Sequence, residues 1–232
     1  FFLPLLVLVY FAKRGFFKGG SKKFNTMQIY RYSFPVLIML LVLTGLYSWD
    51  VILVKRFFDP ISAGQYAALS LFGKIIFFAT LSISMVMFPK ILELNSENRN
   101  TITLLIKSIL IALFLGLSVS LLYFLIPNFI ITMLFGEEFL VISPFLWVFG
   151  MIMTIFSICY LISFYNMALH RLKFLYLIAF FNLMEIILIN LYHRSLEQII
   201  IILMIIMVLL LISLAIYTLK NDKNINHHSS IQ

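Results

Sequence analysis

Asp50, Lys74 and Glu185 each stand inside a long run of apolar residues. A charge at membrane depth costs at least about 2.5 kcal/mol, so such side chains usually face a protein interior or an aqueous cavity. A simple lipid anchor has no use for them, and a polar site within the membrane does. Over residues 65–88, Tyr66, Ser70, Gly73, Phe77, Thr80 and Ser84 recur at spacings of four and three and share one helical face. Small and hydroxylated residues there permit close helix packing and hydrogen bonds between helices. Lys74 borders that face, and packing alone does not require an ammonium. The face is therefore read as a cavity wall in which Lys74, Ser70 and Tyr66 bind substrate, with a plain helix–helix contact as the alternative.

Asp50 falls ~6 Å inside the end of its helix and Lys74 ~14 Å inside the next, at the helical rise per residue. A long lysine leaning outward could meet the carboxylate, so Asp50 is either an ion-coupling residue or the structural partner of Lys74. Asn182 and Glu185, three apart, share a face of a later helix. Glu185, placed near mid-membrane, reads as a protonatable or cation-coupling carboxylate, or as a neutral acid hydrogen-bonded to another span. Cys159, Ser163, Asn166 and His170 form a second polar stripe, whose expected role is helix packing. The adjacent His227 and His228 read as incidental, so no metal site is assigned. With no Gly-rich phosphate loop or nucleophile elbow, no catalytic residue or cofactor is expected, and the chain reads as a transporter.

The elements that must position these groups are membrane helices. Of 232 residues, 63% are hydrophobic and 11% charged, with mean hydropathy +1.09, which a water-soluble domain would not show. The expected fold is an all-α polytopic membrane bundle with six complete spans: 34–54, 65–88, 104–126, 141–168, 174–191 and 199–219. Pro35 opens the first span, Pro89 closes the second, Pro127 follows the third, and a polar turn fills 55–64. Residues 127–140 should lie at the interface, with Gly136 ending a short helix and Glu137 and Glu138 in water. The polar tail, 220–232, has no core to join and is expected to be disordered from residue 221.

The chain opens within an apolar run, 1–12, too short to span alone. It is read as the end of a truncated transmembrane helix, making the chain the C-terminal part of a larger protein. The competing signal-peptide reading lacks a charged n-region. The run leads into a basic linker, 13–33, carrying Lys13, Arg14, Lys18, Lys22, Lys23 and Arg31, whose residues 27–32 could lie along the membrane surface. Lys90, Arg99, Arg171, Lys173, Lys220 and Lys223 share its side, against Lys55, Arg56 and Arg194 opposite. Twelve against three places the linker and C-terminus in the cytoplasm. The net charge of +8 is thus spread over loops between spans, so nucleic acid is not an expected partner.

Asp50 near its helix end, AGQYAALS at 63–70, FPK at 88–90 and MLFGEEF at 133–139 together resemble the polysaccharide flippases. These are the lipid-linked oligosaccharide translocases of the multidrug/oligosaccharidyl-lipid/polysaccharide exporter superfamily. The resemblance implies two six-helix lobes around a cavity that alternates between membrane faces. Residues 13–33 would be the inter-lobe linker, 34–219 the C-terminal lobe, and the N-terminal lobe would be missing from this chain. It further implies a lipid-linked sugar as substrate, membrane lipid as surroundings, the cell membrane as location, and Lys74 as the cation that meets the carrier's pyrophosphate. The alternatives are a drug/cation exporter of the same superfamily, expected to have a more acidic cavity, and an integral-membrane glycosyltransferase or polymerase, expected to have a large outer catalytic loop.

Overall fold

In lipid, a chain must satisfy its backbone polar groups internally, as helices or a closed barrel. A computed structural model describes residues 26–97 and 99–229, and among them the chain forms helices and turns without a strand. The order is α1 (Thr26–Leu46), α2 (Trp49–Phe57), α3 (Pro60–Ser96), α4 (Ile102–Leu125), α5 (Pro127–Leu134), a 3₁₀ segment (Glu137–Ile142), α6 (Ser143–Ala168), α7 (Phe174–Leu191) and α8 (Leu196–Ser229). Five spans are helices long and apolar enough to cross a bilayer, and α1 with α2 makes a sixth, bent by 41°. The protein is an all-α polytopic membrane bundle. Residues 1–12 and the linker as far as residue 25 lie outside the described residues.

Several element ends differ from expectation, each for a local reason. The first span is not one straight helix but the bent pair α1–α2. The turn expected over 55–64 shrinks to Phe58 and Asp59. Asp59 Oδ2 accepts the backbone N–H of Ile61 (3.1 Å) and Ser62 (3.0 Å), and Pro60 starts α3 where no N–H is needed. Those bonds, led by Ser62, hold the exposed Asp59 carboxyl below its ordinary value. Pro89 does not close α3 but lies within it. Leaving the helix there would unpair several backbone groups in an apolar medium, a larger cost than one missing bond. α8 continues past residue 221, to Ser229. Gly136 takes φ +94°, a left-handed turn that favours glycine, between α5 and the 3₁₀ segment, where Glu137 and Glu138 are exposed.

The apolar stretch running from the 3₁₀ segment through α6 is 72% buried, against 28–39% for the other single-helix spans, so α6 is the central element. Its neighbours approach closely where they carry small residues. A Cβ on Gly73 of α3 would come within 2.6 Å of Phe149 and 2.7 Å of Met153. On α4, Ser108, Ala112, Gly116 and Ser120 form a buried stripe at spacings of four. Gly116 faces Thr154, and Ser120 fits against Gly150. Large apolar side chains such as Val86, Phe114 and Tyr176 point outward, as a lipid-facing surface requires.

Candidate functional site

The break between α1 and α2 positions Asp50. Ser48 N–H turns back to Gly45 O (2.9 Å), and the Asn182 side-chain amide of α7 donates to Val42 O (2.8 Å). A side chain reaching into the helical ladder is a recognised cause of a kink. Gly45 makes room for it, since a Cβ there would collide with Asn182 and Trp49. The new helix starts at Trp49, so Asp50 enters its first turn, 1% exposed, and its Oδ2 accepts the Tyr66 hydroxyl of α3 at 2.9 Å.

Helix ends set the depth of each group. Asp50 lies ~10 Å before the end of α2, Tyr66 ~9 Å into α3, and Glu185 ~9 Å before the end of α7. Three helices therefore bring these side chains to one level. Glu185 is fully buried, close enough to Asp50 and Tyr66 for their charges to interact, and among the described residues neither of its oxygens has a hydrogen-bond partner. Asp50 Oδ1 and the buried Ser70 Oγ also lack partners. Glu185 lies nearer the middle of α7 than its end, and among the described residues the hydrogen bond to another span considered for it is not formed. The approach of Asp50 to Glu185 escaped sequence reasoning. Its available signal was Asn182, one turn from Glu185 and bonded to the helix that breaks before Asp50.

Lys74 lies ~21 Å into α3, because that helix begins at Pro60 and not at residue 65. It is more than two helical turns beyond Tyr66, and no Asp50–Lys74 ion pair forms. Its Nζ sits instead 5.6 Å from the centroid of the Tyr47 ring, a cation–π arrangement. The face from Tyr66 to Ser84 is buried throughout. It is a helix contact against α6 and not an open cavity wall: Tyr66 packs edge-on to Phe149 at 5.8 Å and Ser70 is fully buried. Of the expected substrate-binding trio, only Lys74 is partly exposed.

A second polar cluster joins the other ends of α4, α6 and α8. Tyr165 has one hydroxyl proton and gives it to Asp222 (3.1 Å to Oδ2), so Thr101 Oγ1 donates to Tyr165 at 3.0 Å. Arg171, in the turn after α6, pairs with Asp222. Asn166 reaches Thr218 Oγ1 at 2.7 Å, and Ser163 bonds back to Cys159 O, so much of the second stripe serves packing. Sequence reasoning missed this cluster, since Asp222 stands among lysines in a stretch read as disordered.

The fold and its polar layer define a class, a polytopic helical membrane protein with ionisable groups buried between spans. No family model, curated protein or solved structure matches the chain.

Proposed function

We propose that the chain forms one lobe of a flippase that moves lipid-linked oligosaccharide across the cell membrane for polysaccharide export. The observation that carries this reading is Lys74, an ammonium deep in an apolar helix that meets an aromatic ring and, among the described residues, forms no ion pair with a carboxylate. Its charge is available to an anionic group, and a lipid carrier's pyrophosphate is one that reaches membrane depth. If the basic ends of the helices face the cytoplasm, Lys74 lies ~21 Å from the outer boundary of a core ~30 Å thick. That is the cytoplasmic half, where the substrate would load. The broken first span supports the reading, because discontinuous helices commonly build transporter sites. Rocking against a second lobe would then alternate access.

Lys74→Ala in the intact protein is expected to lower glycan export at least ~10-fold, with partial recovery in Lys74→Arg. Unchanged export in Lys74→Ala, with equal protein in the membrane, would refute the phosphate role. The buried Asp50 and Glu185 favour a second reading, a drug/cation exporter. Cells expressing the protein would then clear a cationic dye, and Asp50→Asn would abolish clearance while glycan export stayed untouched.

A further inference from the structure

Glu185 and Asp50 come from α7 and α2, at one depth, and both are closed to solvent. The Tyr66 hydroxyl is committed to Asp50, which leaves Glu185 without a donor among the described residues. A buried carboxylate with no hydrogen bond and a like charge beside it is unstable, and a proton on one member of such a pair removes both faults.

The surrounding charges point the same way. On α2, besides Asp50, Lys55 and Arg56 are exposed beyond the layer. On α3, Tyr66 belongs to the layer and Lys74 lies within electrostatic reach of Asp50. Residues 37–46 of α1 and 199–216 of α8 carry no ionisable side chain. His193 stacks on Phe57 at 4.1 Å, beyond the end of α7, two helical turns out from Glu185. Two carboxylates share the layer, and one proton on the pair removes the repulsion between them. Among the described residues no group of three or more His, Cys, Asp or Glu gathers as metal ligands.

We propose that Asp50 and Glu185 form a binding site for one exchangeable proton, carried on Glu185 while Tyr66 holds Asp50 as the ionised member. Release breaks the Glu185 O–H bond and passes the proton to water, leaving the carboxylate, and uptake reverses the step. The inference deepens the transporter reading by naming its coupling ion, and its test does not measure transport.

The test is infrared spectroscopy of the intact protein in lipid nanodiscs, following the C=O stretch of a protonated carboxyl group against pH. The native protein should show a band that disappears as pH is raised across the range in which it stays folded, and that is missing from Glu185→Gln. Asp50→Asn removes the opposing charge, so the band should vanish at a lower pH. Three results would overturn the site: a band constant across the range, a titration unmoved by Asp50→Asn, or loss of the band on adding sodium at fixed pH. The last would assign the pair to a metal cation. Glu185→Gln and Asp50→Asn keep side-chain shape, and circular dichroism establishes that each is folded. A titrating band alongside normal export in Lys74→Ala would refute the phosphate role of Lys74 and keep the proton site.

Discussion

Asp50 shows how much one hydrogen bond decides. Its carboxylate is closed to solvent, and the bond from Tyr66 at 2.9 Å is its link to another side chain. Tyr66→Phe keeps the ring against Phe149 but removes the donor, leaving a buried acceptor unpaired. The variant should lose about 1–3 kcal/mol of stability, read from unfolding in mixed detergent and lipid. A loss indistinguishable from zero would mean that the bond contributes nothing. The hydroxyl positions at 66, 70, 80 and 84 were legible as one face from their spacing. Which of them would find a partner was not, because partners lie on other helices. Thr80 bonds back to Phe77 O, whereas Ser70 finds no partner among the described residues.

At the scale of elements, close approach of α4 to α6 rests on small side chains. Gly116→Val would push a branched side chain into Thr154, and overpacking of this kind costs about 1–3 kcal/mol. Gly64, in the first turns of α3, meets nothing within 4 Å, so Gly64→Ala should instead stabilise by about 0.5–1 kcal/mol through backbone entropy. Opposite signs in the two variants, measured by thermal inactivation, would establish that contact with α6 and not helix propensity sets the glycine requirement. The apolar runs were readable as spans, with α7 falling on residues 174–191 as expected. Ends were harder to read, since Asp59 and Pro60 start α3 five residues early.

Across the segment from Leu37 onward, the polar clusters lie at opposite ends of the helices, and one fastens the last span. Arg171 and Asp222, with Tyr165 and Thr101, tie α8 to α6 and the start of α4. Arg171→Ala should loosen that end, lowering hydrogen-exchange protection from Thr218 onward while the middle of α8 stays protected. In a double-mutant cycle with Asp222→Ala, the coupling should be about 1.5–3 kcal/mol, as expected for a hydrogen bond between charged groups. Additive losses would mean that the two side chains do not stabilise one another.

The sequence alone determined the class of protein, because a run of about twenty apolar residues must be helical to survive in lipid. It also determined which residues share a helix face, since that follows from the 3.6-residue period. Tertiary structure decided who meets whom. Moving a helix start by five residues displaces every group on it by ~7.5 Å along the axis, which carries Lys74 past Asp50 and leaves Tyr66 in its place. Likewise, the α1–α2 break and the Asn182 bond across it bring Glu185 to Asp50. A pairing between residues over a hundred positions apart is set by where helices end and how they pack, and no local periodicity records either.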